Sequence, residues 1–198
     1  MHWPVTGDWC GAGALDLLKD TPINCLLMDE SATDCAREAR RRGIAVVGPL
    51  SPDGGPVLYT SESVTARIRP MEAATATPTS EPWIDSNLWL VHSLRARAGA
   101  RPVWLGHRLE NPSPADYERA IAEAAAAGGR WVVSPDDALA AGLRRGLPEA
   151  LALWRRIGAC LEFHERHAEW RGLAPVAALG IVRDRAGKHA ALRTRIST

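Results

Sequence analysis

Apolar and polar positions along the chain change period several times, and each change predicts an element. Residues 23–28 form a nearly unbroken apolar run and read as a buried strand. Residues 32–42 follow with helical spacing, capped by Ser31 or Thr33 and stopped by Gly43, and residues 44–47 are apolar again, so the opening is a β-α-β unit. The Gly- and Pro-rich stretch 48–56 reads as a loop. Residues 57–60, 64–68 and 73–77 are short and β-leaning, and residues 78–82 turn the chain. A helix is expected over 83–97, with Asp85 or Ser86 as cap and Leu88, Val91, Leu94 and Arg95 along one side. From there elements alternate: strand 102–106, helix 114–127 with Ser113 as cap and Pro114 at its first position, strand 131–133, helix 137–143, a long helix from Pro148 to about Trp170, and strand 176–182.

Strict alternation of strands and helices is the signature of a parallel sheet with helical crossovers. An eightfold barrel takes about 250 residues, more than the 198 present. The expectation is therefore an α/β fold, a partial or shortened (β/α) TIM-like barrel. It divides into an N-terminal Gly/Pro/Trp arm (1–22), the barrel domain (23–184) and a polar C-terminal tail (185–198).

Four expected strands run almost directly into carboxylates: Asp29 and Glu30, Glu110, Asp136 and Asp137, and Asp184. In a parallel β/α architecture those strand ends share one rim, where ligands bind. Helix caps also explain Asp85, Asp136 and Asp137, because an aspartate at that position satisfies orphan backbone N–H groups.

Composition narrows the function classes. Basic and acidic residues number 24 and 23, for a net charge of +1, with no basic stripe, so no nucleic-acid partner is expected. Arg40, Arg41 and Arg42 fall at a helix end, where cations suit the dipole. No apolar run approaches the ~20 residues of a membrane span, and the N-terminus lacks a signal core. A cytoplasmic protein with no membrane partner is the expectation. Cys10, Cys25, Cys35 and Cys160 have no metal spacing, and the last three sit in expected strands or helices as small hydrophobes. His164 and His167 are three apart, one short of the spacing in the zinc-protease signature. Gly11-Ala12-Gly13 lacks the third glycine of a dinucleotide fingerprint, and neither a Walker sequence nor a nucleophile elbow occurs. No metal and no cofactor are expected. Eight of eleven aromatic residues are Trp, whose flat amphipathic ring suits both a core and the apolar face of a sugar.

The segment 76–87, containing Pro82-Trp83-Ile84-Asp85-Ser86-Asn87, resembles a bacterial family of TIM-barrel proteins described as hypothetical glycoside hydrolases. Residues 21–26, 129–137 and 163–170 carry the same likeness. In that family the barrel precedes a β-galactosidase-like, amidotransferase-shaped domain. The resemblance implies a barrel acting on carbohydrate. The stretch 29–70 looks shorter than the family's early barrel, and the sequence stops where the further domain would begin.

Glycoside cleavage uses two carboxyl groups, one as acid and one as nucleophile or base, about 5–5.5 or 6.5–9.5 Å apart. Asp85 and Asp136 are the preferred pair, with Glu110 and Asp29 in reserve. Trp83, Ser86 and Asn87 are candidates to stack on and hydrogen-bond to the sugar, with Asp137 beside them. The alternative is a non-catalytic carbohydrate-binding or scaffold domain, a truncated relative in which the rim acids are caps. A third expectation is a homo-oligomer or a partner that completes the barrel.

Overall fold

The computed structural model describes residues 12–28, 33–47, 57–60, 88–98, 100–106, 109 and 111–173. Part of the expected arm is helical: α1 spans Ala12–Asp16, and Ala14, Leu15 and Leu18 are buried. The Trp154 indole N–H donates to the Leu17 carbonyl at 2.7 Å, tying this opening segment to a helix more than a hundred residues away.

Strand β1 (Cys25–Leu27) pairs in parallel with β2 (Ala45–Val47), in register Leu26 to Val46. Helix α2 (Thr33–Arg41) crosses between them. Its buried Cys35, Ala36 and Ala39 lie at positions i, i+1 and i+4, one stripe of a helix. Gly43 ends it with φ of 76°, and the Ile44 N–H returns to the Ala39 carbonyl at 2.9 Å. Glycine takes that left-handed conformation without a Cβ penalty, as expected of the stop signal.

A second sheet runs β3 (Val57–Thr60), β4 (Val103–Gly106), β5 (Arg130–Trp131), all parallel. Pairing continues past β5, because the Val132 N–H donates to the Leu105 carbonyl at 2.8 Å. Helix α3 (Leu88–Ala98) precedes β4 and buries Val91 and Leu94. Helix α4 (Pro114–Ala126) links β4 to β5 and buries Tyr117, Ala120, Ile121 and Ala124, at i, i+3, i+4 and i+7. At its start the Asp116 carboxylate reaches back to the Ser113 N–H at 2.7 Å and takes the Ser113 hydroxyl at 2.7 Å, which neutralises orphan donors of the first turn.

Helices α5 (Asp137–Arg144) and α6 (Pro148–Arg166) follow one another closely and pack together. Gly146, with φ of 66°, makes the turn. Gly142 permits the approach: a Cβ there would lie 2.7 Å from the Ala150 Cβ. Trp154 and Ile157 anchor α6 in the core, the fully buried Ile157 side chain alone being worth about 1.5–3 kcal/mol.

The long helix stops at Arg166 rather than near Trp170, and a 3₁₀ helix follows over Ala168–Gly172. A 3₁₀ turn eclipses residues three apart. Here the Trp170 N–H bonds the His167 carbonyl at 3.0 Å, and the two rings stack 4.1 Å apart at 7°. Phe163 meets both rings edge-on, so the tighter turn exchanges α-helical bonds for aromatic contact.

The protein is thus α/β with parallel strands. The described strands form a two-stranded and a three-stranded sheet, not a closed barrel. Strands expected over 64–68, 73–77 and 176–182, and the tail 185–198, lie outside the described residues.

Candidate functional site

Parallel strands joined by crossover helices place Asp136 beyond the carboxyl end of β5, the end where a rim acid was expected. The route there is stiff: Val132 and Val133 are buried, the buried Ser134 hydroxyl donates to the Val132 carbonyl at 3.2 Å, and Pro135 is buried as well. Asp136 itself has the extended backbone of an N-cap, with φ of −69° and ψ of 173°. Its Oδ1 accepts the Leu139 N–H at 2.8 Å, as a capping aspartate should.

The other oxygen is also engaged. The Tyr117 hydroxyl donates to Asp136 Oδ2 at 2.8 Å, and the Asp136 N–H donates to the same hydroxyl at 3.0 Å. Tyr117 is completely buried, so its hydroxyl depends on partners inside the protein. One phenol on α4 therefore fixes both the backbone and the side chain of the α5 cap. Asp137 is exposed in the first turn of α5, next to the helix dipole's positive end. Asp29, Glu110, Asp85, Trp83, Ser86 and Asn87 lie outside the described residues. Of the preferred pair, Asp136 alone has a described position.

A cleft opens at the opposite, amino-terminal ends of β1 and β5. It holds about 90 Å³ and is walled by Ile23, Trp104, Ile121, Trp131 and Leu161. Arg130, His164, Glu165 and Arg171 form its polar side. Arg171 donates to both Glu165 oxygens, at 2.8 and 3.3 Å, and to the His164 carbonyl at 3.2 Å. Arg130 approaches Glu165 at 3.6 Å, beyond hydrogen-bond reach. The Arg171 Nε is buried without a hydrogen-bond partner. Burial lowers the His164 pKa, with Arg171 and His167 adding to the effect and Glu165 opposing it. Cys25 also lines the cleft, and burial pushes its thiol pKa up, away from reactive thiolate.

Beneath this side, Arg95 donates to the Ala127 carbonyl at 2.9 Å and to the Arg171 carbonyl at 3.4 Å. It closes the C-terminal end of α4 and holds the 3₁₀ segment against it. Gly128, with φ of 76°, makes room, since a Cβ would stand 2.5 Å from Arg95 Nη1 and 2.8 Å from the Arg171 carbonyl oxygen.

Two features escaped the sequence patterns. Tyr117 and Asp136 are 19 residues apart and belong to different helices, so no local spacing links them. Glu165 and Arg171 are six apart across the break between α6 and the 3₁₀ helix, a separation that brings residues together on neither an unbroken helix nor a strand. His164 and His167 are spent on aromatic contacts with Phe163, and no group of three or more metal-ligating side chains occurs among the described residues.

No described helix is long and apolar enough to cross a membrane. No protein-family model, curated protein or solved structure matches the chain.

Proposed function

We propose that this chain is a non-catalytic carbohydrate-binding β/α domain, a shortened relative of the glycoside-hydrolase-like barrels, in which Asp136 serves the fold. The carbohydrate part rests on the likeness carried by residues 76–87 and on the abundance of Trp. The non-catalytic part rests on one observation: both Asp136 oxygens are already held, one by the Leu139 N–H and the other by Tyr117. A general acid or nucleophile must turn an oxygen toward the scissile bond. Doing so here would uncap α5 and strip a buried phenol of its acceptor.

A second reading, glycoside hydrolysis through Asp136 and Asp85, is favoured by the position of Asp136 past the carboxyl end of a parallel strand. Affinity electrophoresis through gels containing soluble polysaccharides tests the carbohydrate assignment, and reducing-end release from the same polysaccharides by the wild-type chain and Asp136→Asn separates the two. The binding reading expects the wild-type chain and Asp136→Asn to be retarded alike by the same polysaccharide. Absence of retardation in every gel would remove the carbohydrate assignment.

A further inference from the structure

The cleft between the starts of β1 and β5 lies outside the carbohydrate reading, at the other end of the strands, and has the composition of a small ligand site. Its floor and walls are apolar, with Trp104, Trp131, Ile121 and Leu161 around a cavity of about 90 Å³. Small-molecule sites combine such walls with a few converging polar groups. Here those groups are two guanidinium ions facing one carboxylate, which leaves one positive charge in surplus.

The surplus is placed asymmetrically. Arg171 is largely covered, its side chain 18% exposed, and is bonded to both Glu165 oxygens. Arg130 is 47% exposed and 3.6 Å from Glu165, so its guanidinium is accessible to an incoming acceptor. Glu165 and the apolar walls both disfavour a dianion.

We infer that this cleft binds a short aliphatic monocarboxylate, its chain against Trp104 and Trp131 and its carboxylate on Arg130, with Glu165 as the competing internal anion. The cleft, at about 90 Å³, has room for a short aliphatic chain. Arginine is suited to the role because its planar fork matches a carboxylate in bidentate fashion.

Titration calorimetry of the full chain, with Trp fluorescence as a second readout, tests this with acetate, butanoate, hexanoate, 1-butanol and succinate. Saturable binding of butanoate is expected, tightening by about fourfold for each methylene that enters the cleft. 1-Butanol, which lacks the charge, and succinate, which doubles it, should bind more weakly. Arg130→Gln should weaken butanoate by roughly 10- to 100-fold, the range for one charge-assisted bond, whereas Arg130→Lys keeps the charge and loses less. Glu165→Gln should tighten binding by removing the competing carboxylate. A purely structural role for this trio would move both charge-removing variants in the same direction, and that result overturns the inference. Equal affinity for butanoate and 1-butanol, or no saturable binding to a wild-type chain with a native melting profile, overturns it as well.

Discussion

Replacing Tyr117 by Phe removes one hydroxyl from a fully buried ring and leaves the packing volume almost unchanged. That hydroxyl donates to Asp136 Oδ2 at 2.8 Å and accepts the Asp136 N–H at 3.0 Å. A hydrogen bond to a charged acceptor contributes about 1.5–3 kcal/mol; Asp136 is half-buried, so water recovers part of it, and a net loss of about 1–2 kcal/mol is expected. Asp136→Ala removes the same bond and the α5 cap, itself worth about 1 kcal/mol, for a total of about 2–3 kcal/mol. Asp136→Asn keeps a capping oxygen and an acceptor, so about 1 kcal/mol is lost. The double variant Tyr117→Phe/Asp136→Ala should fall short of the sum of the two single losses, because both changes break the hydroxyl-to-carboxylate bond, while only Tyr117→Phe removes the bond from the residue-136 N–H. Urea denaturation of the four proteins gives the coupling energy, expected at about 1–2 kcal/mol. Additivity within ~0.5 kcal/mol would show that the contact contributes nothing and would refute the structural role given to Asp136.

Gly128→Ala should cost at least about 2 kcal/mol, since the left-handed backbone and the overlap with Arg95 and the Arg171 carbonyl penalise any Cβ; thermal melting checks it, and an unchanged melting temperature would contradict the packing described. Trp154→Phe should lose about 1–2 kcal/mol with the bond to the Leu17 carbonyl, and amide exchange should accelerate around α1 more than in the strands. Bonds from Arg41 and then Arg42 lower the Glu38 pKa from 4.5 to about 2. Its ion pairs therefore support α2 above pH 4.5 and are lost as pH falls toward 2. An NMR titration of the Glu38 carboxyl should show a depressed midpoint that moves back toward 4.5 in high salt, and an ordinary, salt-independent midpoint would contradict the pairs seen.

The β-α-β opening and the strand–helix alternation of the second half were legible because each rests on local signals. Gly43 takes the positive φ its position after α2 suggested, and Val91 and Leu94 face the core as their spacing implied. Ser113 and Pro114 mark the start of α4, where Asp116 completes the reciprocal cap. The end of α6 was misplaced because continuing polar residues hid an aromatic preference: stacking of His167 on Trp170 needs the three-residue spacing of a 3₁₀ turn. The burial of Ala14, Leu15 and Leu18 was hidden by the Gly and Trp residues around them, and goes with a tertiary bond from Trp154 far along the chain. At the site, the position of Asp136 was legible as a cap following a strand. Its second partner was not, since the Tyr117 contact is tertiary and has no sequence period. The Arg130, Glu165 and Arg171 cluster was missed for the same reason, arising where a strand start meets the end of a helix.

Reducing-end release from an oligosaccharide panel, measured for the wild-type chain and for Asp136→Asn at matched folded fraction, bears most directly on the claim that the Asp136 carboxylate serves the fold. No turnover that depends on Asp136 is expected, together with a loss of about 1 kcal/mol in stability for the variant. Hydrolysis by the wild-type chain that falls by roughly a thousandfold or more in a fully folded Asp136→Asn protein would contradict it.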